Sequence, residues 1–304
     1  MRWLYLLKLL GKLGTLRRIS PTPAKMLLNA FLGRDTHTLR LPDGQLLPRQ
    51  ITPPNLYGYL LLQAHVPLAP EQPSAPDMLR WELAPGRFFL TRLTTGMDLM
   101  TLYELFGRKD YGTDFTTQVV IDVGAYNGDS AVYFALQGAK QVIALEPHPP
   151  NFALAQENIR QMGLEDRITL FPAALSTTDG QAFLQVAPTE PDANSLTPPD
   201  SPLQKLISYT EKTPVQTISF STLCAQYGLE EVDFIKLDCE GCEFALISSL
   251  PEDELRRAKT WHIEYHARPE PLIQRLQKAG FIVEKKLDRG VLGYLIARRQ
   301  VNNP

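Results

Sequence analysis

The chain has 304 residues, 44% of them hydrophobic and 21% charged, with a formal net charge of -2. Those values describe a globular chain with ample core, and they exclude a disordered chain or a polycation built to grip nucleic acid. No apolar run approaches the roughly 20 residues that span a bilayer, and three cysteines are too few for a disulfide framework and suit a reducing, cytoplasmic setting.

In chain order, the first segment is basic. Arg2, Lys8, Lys12, Arg17, Arg18, Lys25 and Arg34 precede the first acid, Asp35. Lys8 and Lys12 fall on one side of a helical wheel, with Leu6, Leu9, Leu10, Leu13 and Leu16 opposite. The two lysines interrupt the apolar run and no small-residue cleavage site follows, so the segment does not read as a signal peptide. It reads as a helix packed on the domain or a solvated arm, with weak contact of residues 1–20 to an anionic membrane surface as the alternative. Leu39-Arg-Leu-Pro-Asp-Gly-Gln-Leu46 predicts a hairpin turned at Asp43-Gly44. The prolines that follow (Pro48, Pro53, Pro54, Pro67, Pro70, Pro73, Pro76) argue against regular elements. Residues 1–112 are therefore expected to form an irregular extension, and 113–304 the functional domain.

From about residue 115 the texture becomes α/β. Strands are predicted at Val119–Val123, Gln141–Leu145, Arg167–Phe171, Val232–Leu237 and Trp261–Tyr265. Helices are predicted at Ser130–Gln137, at Asn151–Gly163 with Asn151 as N-cap, and at Pro271–Ala279. Phe281–Lys286 and Val291–Ala297, turned at Asp288-Arg-Gly290, must pair antiparallel. The expected architecture is a doubly wound, mostly parallel seven-stranded sheet ending in an antiparallel hairpin, the Rossmann-like arrangement of class I methyltransferases.

Ligands bind such sheets beyond the carboxyl ends of the strands. The first strand runs into Asp122-Val-Gly-Ala-Tyr-Asn-Gly-Asp129, where Gly124 and Gly128 leave the backbone bare. The pattern is not G-x-G-x-x-G, and a carboxylate at Asp122 would repel a pyrophosphate but suit the positive groups of adenosylmethionine. The second strand ends in Glu146-Pro147, an acid placed to accept hydrogen bonds from both ribose hydroxyls.

These segments, with Phe234-Ile-Lys-Leu-Asp-Cys-Glu-Gly-Cys-Glu243, resemble the FkbM-type methyltransferases, whose patterns are D-[IV]-G-A-N-x-G, E-P and K-[IL]-D-[VI]-E-G-x-E. The resemblance runs from about Leu93 to the chain end and takes in Thr94-Thr-Gly-Met-Asp98 and Tyr111. Tyr126 stands where the family has Asn, with Asn127 one place later, and Ala173-Ala174 lacks the acid that many class I enzymes set against adenine. The resemblance implies S-adenosyl-L-methionine as cofactor and transfer of methyl to a hydroxyl on a small molecule or sugar. It points to Asp122, Gly124, Ala125, Asn127, Gly128, Glu146, Pro147 and Ala174 as the cofactor side.

On the chemistry side, Asp238 and Glu240 leave the fourth strand on one face, able to hold the acceptor hydroxyl or take its proton. Glu243 reads as a helix cap that balances Lys236. On the fifth strand, His262 reads as packing, while Glu264 and His266 are candidates for a histidine base or, less favoured, a divalent-metal site. Cys239 and Cys242 read as packing. Pro188–Pro202, containing Asn194-Ser195, reads as a lid, a substrate wall or a surface insertion. The expected function is O-methylation of a small-molecule or glycan hydroxyl. The alternatives are an RNA methyltransferase, which the neutral charge disfavours, and a non-catalytic adenosylmethionine-binding regulator or scaffold.

Overall fold

The structure is a computed structural model that describes residues 20–31, 36–40, 46–66, 70–71, 77–198 and 204–300, with 14, 17 and 202. The basic leucine-rich segment, the Asp43-Gly44 turn, and residues 199–201 and 203 of or beside the Pro188–Pro202 loop lie outside the described residues. The chain divides into two compact units. The first comprises Met1–Gly112, Glu157–Gly163 and Thr189–Asp192, and the second Thr113–Gln156, Leu164–Pro188 and Ala193–Pro304. Among the described residues no helix is long and apolar enough to cross a membrane.

In the first unit, α1 (Pro23–Phe31) precedes a hairpin of β1 (Thr36–Arg40) and β2 (Leu46–Gln50), in register from Thr36↔Gln50 to Arg40↔Leu46. Contrary to the sequence expectation, the prolines do not prevent regular structure. Pro53 and Pro54 open α2 (Pro53–His65), occupying the first turn, where the missing N–H has no intrahelical partner to lose. β3 (Pro70–Glu71), β4 (Met78–Ala84) and β5 (Arg87–Arg92) form an antiparallel sheet, followed by α3 (Asp98–Tyr103). Buried Asn55 on α2 fastens this unit: its Oδ1 accepts from Leu99 N at 3.0 Å, and its Nδ2 donates to Leu93, Thr95 and Gly96 carbonyls at 3.2–3.3 Å.

The second unit holds β6 (Val119–Val123), α4 (Asp129–Leu136), β7 (Gln141–Leu145) and the start of α5 (Pro149–Gln161). β8 (Ile168–Phe171), β9 (Ala173–Ser176), β10 (Gly180–Val186), β11 (Glu211–Ser219) and α6 (Phe220–Tyr227) follow. The chain closes with β12 (Val232–Leu237), α7 (Cys242–Ser249), α8 (Glu252–Leu255), β13 (Ala258–Tyr265), α9 (Glu270–Lys278), β14 (Phe281–Lys286) and β15 (Gly293–Arg299). The main sheet has seven strands in the order β14-β15-β13-β12-β6-β7-β8. All lateral pairs from β13 to β8 are parallel, and β15 inserts antiparallel between β13 and β14. This is the class I methyltransferase sheet, an α/β fold.

The β-branched runs Val119-Val-Ile and Val142-Ile fill the centre because these strands are covered on both faces. Ile121, Ile143, Ile235, Ile263 and Leu295 are all buried in one core. A separate three-stranded sheet, β10-β11-β9, was not foreseen. Asn151 is not the cap of α5, because the helix begins two residues earlier at Pro149; its side chain hydrogen-bonds Glu146 instead.

Candidate active site

β6 and β12 run side by side, with Lys236 in register with Asp122. A lysine in a strand buried on both faces needs a partner, and Lys236 Nζ lies 3.2 Å from Asp122 Oδ1 and donates to the Gly124 carbonyl at 2.7 Å. Asp122 also accepts from Ser130 Oγ at 2.6 Å. Burial raises the Asp122 pKa, with Lys236 and the Ser130 hydroxyl opposing it. Burial likewise works against the Lys236 charge, but Asp122, Asp238 and Asp129 outweigh it and raise the lysine above its ordinary value. The expectation that Asp122 turns an open charge toward a ligand is thus corrected. Its carboxylate is 0% exposed and is neutralised from within by Lys236.

The glycines of the loop also serve close packing. Gly124 has φ 78, and a Cβ there would meet the Asp238 carbonyl oxygen at 1.8 Å. Gly128 has φ 86, and its Cβ would press on Ala155 Cα at 3.1 Å. The bare backbone admits the outgoing β12 chain and α5, so the two loops can touch. Ala125 donates its N–H to Leu145 O at 2.9 Å, Tyr126 takes the left-handed φ 50, and buried Asn127 accepts from Asp129 N at 3.2 Å.

Glu146 stands at the tip of β7, 5% exposed, and accepts Tyr126 N–H at 2.9 Å and His148 N–H at 2.8 Å on separate oxygens. With the Asn151 side chain as a third donor, about one lone-pair site of the carboxylate is left for a ligand hydroxyl. Burial pushes its pKa up to about 7 against the backbone donors and Asn151. Pro147 follows, partly buried, and Ala174 sits buried on β9 opposite Thr217 with no polar group to offer. Sequence reasoning set Lys236 against Glu243 and missed both its pairing with Asp122 and the place of His148, although a lone lysine inside Phe234-Ile-Lys-Leu was the available signal.

At the end of β12 the chain turns through Glu240, with φ 55, and Gly241, with φ 119, into α7. Among the described residues Asp238, Glu240 and His266 bring ligand-type atoms within 4.8 Å of one another. Glu243 organises them: it is 0% exposed, accepts Gly241 N–H at 2.8 Å, and its Oε1 lies 3.1 Å from both His266 N and Nδ1. It caps the helix as expected but faces His266, while Lys236 lies near Asp238 at 3.5 Å. His266 Nε2 is 3.3 Å from Glu240 Oε1.

Burial alone would depress the His266 imidazole, yet Glu240 and Glu243 raise its pKa well above the ordinary value. An imidazole whose charged form is favoured by two carboxylates is a poor base, which weighs against that candidate role. With Nδ1 against Glu243, His266 turns Nε2 toward Glu240, and that nitrogen is the atom it would offer a divalent ion beside Asp238 and Glu240. Glu264, half-buried opposite Tyr294, stands outside the three-residue cluster. His262 packs beside Phe234 and Tyr294, with ring centroids 6.0 and 5.3 Å away. The Pro188–Pro202 loop is more than a surface insertion: Ser195 is 0% exposed, bridges to Gln185, and its hydroxyl donates to the Glu240 carbonyl.

The sequence pattern described as the methyltransferase FkbM domain matches residues 122–283, more than half of the chain. The chain belongs to the FkbM methyltransferase family. The match opens at Asp122 and so begins later than the resemblance read from about Leu93. A curated relative, 2-O-methyltransferase NoeI of Sinorhizobium fredii, is 27% identical over 156 residues, 48% of this chain and 63% of that one. The chain thus spans less than two thirds of that relative. Among solved structures, the O-methyltransferase from Bacillus cereus in complex with SAH is 13% identical, covering 60% of this chain and 74% of that one at a TM-score of 0.35. The ribosomal protein L11 methylase from Lactobacillus delbrueckii subsp. bulgaricus is 17% identical, covering 61% and 72%, at a TM-score of 0.37. The fold of this FkbM chain rests on its own strand order.

One further feature of the FkbM loop departs from the sequence expectation. Cys239 and Cys242 form a disulfide, and Cys224 is free and buried. The strand-to-helix turn brings their Cα atoms to 5.5 Å, within the range a disulfide bridges. Their reading as packing residues is corrected accordingly.

Proposed function

We propose that this chain is an S-adenosyl-L-methionine-dependent methyltransferase that methylates a hydroxyl on a small molecule or sugar. One observation carries the reading. Glu146 at the tip of β7 and the Asp238–Glu240–His266 group at the tips of β12 and β13 share the carboxyl edge of one parallel sheet. That edge is where such sheets take ligands. The relative's name, a 2-O-methyltransferase, supports oxygen as the methylated atom.

The residues present fit the cofactor. Glu146 has a spare lone-pair site for a ribose hydroxyl, and the Gly124–Gly128 loop, with Ala125 and Asn127, supplies backbone beside it. Asp122, closed off by Lys236 and Ser130, fixes that loop from beneath. When bound, the cofactor supplies an electrophilic methyl group. Asp238, one quarter exposed, is the most open carboxylate of the cluster and is assigned the acceptor hydroxyl proton. Lys236 steadies it from behind, and protonated His266 holds Glu240 as a second wall of the acceptor site. Positioning of this kind contributes about 7–11 kcal/mol in well-oriented systems.

Asp238→Asn keeps the shape and removes the base. It is expected to leave cofactor affinity unchanged and lower turnover by about 10²–10⁴-fold. Calorimetry and transfer of labelled methyl to hydroxylated sugars and small alcohols measure the two separately. Normal turnover in the variant would transfer the base role to Glu240.

A further inference from the structure

The Cys239–Cys242 disulfide closes a ring of the smallest C-x-x-C kind, around Glu240 and Gly241. A bridge between residues three apart removes little freedom from the unfolded chain, because loop-closure stabilisation grows with loop length. Its effect is local, and what it encloses is the acceptor side of the site. Glu240 holds a left-handed φ of 55 and Gly241 a φ of 119 inside the ring. The Glu240 carboxylate faces His266, its carbonyl takes the Ser195 hydroxyl, and Gly241 N–H donates to Glu243.

The two sulfurs also differ in a way that suits chemistry. Cys239 is partly exposed, whereas Cys242 is 7% exposed and is the first residue of α7. An incoming thiolate can reach Cys239, and the helix N-terminus favours negative charge on the departing Cys242 sulfur.

We propose that Cys239–Cys242 is a thiol–disulfide exchange site whose substrate class is a dithiol, and that its redox state sets the placement of Glu240. A thiolate of the dithiol attacks Cys239 Sγ and the Sγ–Sγ bond breaks. The electron pair leaves on Cys242 Sγ, which takes a proton from solvent. The second thiol of the reductant then attacks the mixed disulfide and frees Cys239, so two electrons pass to the protein and the dithiol becomes a disulfide. Reduction opens the ring and releases the left-handed turn, and Glu240 leaves its place against His266.

The kinetic part of this inference rests on the methyl-transfer reading, so the experiment has readouts with and without activity. The whole chain is equilibrated in mixtures of reduced and oxidised dithiothreitol, and alkylation under denaturing conditions counts free thiols by mass. The expected count moves from one to three in a single two-electron transition. The His266 imidazole signals in a nitrogen-labelled sample shift with it. Turnover falls on the order of 10- to 100-fold in the reduced form, the scale at which a misplacement of about 1 Å is felt, with cofactor affinity unchanged. A catalytic amount of a C-x-x-C protein dithiol separates two sources: faster reduction assigns the site to a protein reductant, equal rates to a small one. Three free thiols in every mixture would overturn the proposal, as would a bond that excess dithiothreitol leaves intact in the folded chain. Unmoved His266 signals across a verified transition would overturn the link to Glu240, even if no acceptor had been found. Cys239→Ser and Cys242→Ser should each abolish the transition, but the wild-type titration decides without them.

Discussion

Glu146 carries the sharpest electrostatic consequence at the scale of single residues. Its pKa is pushed up to about 7 by burial, so the folded chain prefers it neutral. The sign follows from linkage: a group raised on folding contributes stability that is full below its unfolded value and is lost as pH rises through the folded one. Above about 7 the site holds an ionised carboxylate with room for a further donor, and a ribose hydroxyl provides it. Adenosylmethionine affinity should therefore be highest above that value and weaken by up to roughly tenfold per pH unit below it. Calorimetry from pH 5.5 to 8.5 measures this, with Glu146→Gln expected to flatten the dependence. A flat wild-type profile would remove Glu146 from the ribose. The acid at this strand tip was legible in the sequence because its role depends on position alone. The inward commitment of Asp122 was not, because it depends on Lys236, which a linear reading sees as a charge two residues from Asp238 and not as a partner across the sheet.

Among the elements, the loop after β6 and the turn after β12 fit together through one contact. Gly124 has φ 78 and stands where a Cβ would lie 1.8 Å from Asp238 O. Gly290 has a similar φ of 84 but open space around it. Gly290→Ala should destabilise the chain by about 1–2 kcal/mol, the cost of a left-handed backbone alone. Gly124→Ala should add about 1–3 kcal/mol of overpacking and push the β12 turn away from the loop. Denaturant unfolding of both variants tests the difference, and equal losses would mean that the contact does not restrain the turn. The central strands were legible because short β-branched runs ending at a turn have few other readings. β10 and β11 were not, because Pro214 breaks the strand pattern; it pairs with Phe183 of β10, outside the Gln216–Ser219 segment that β9 covers. The C-x-x-C bridge was illegible for another reason: the spacing fits metal, redox or packing, and only the tight turn chooses among them.

For the whole molecule, β6, β7, β12 and β13 pair in parallel, so the loops after them emerge at the same edge, with β15 inserted between β13 and β14. The antiparallel hairpin was legible in the sequence, since a short turn between Lys286 and Gly293 leaves no other pairing. Methyl transfer depends on that edge taking adenosylmethionine and no dinucleotide, and calorimetry at pH 8 with both ligands tests it most directly. Adenosylmethionine, or its demethylated product, should bind the wild-type chain, NAD should give no heat, and Glu146→Ala should weaken binding by about 1.5–3 kcal/mol. Binding of NAD in preference to adenosylmethionine, or adenosylmethionine binding that Glu146→Ala leaves unchanged, would contradict the assignment.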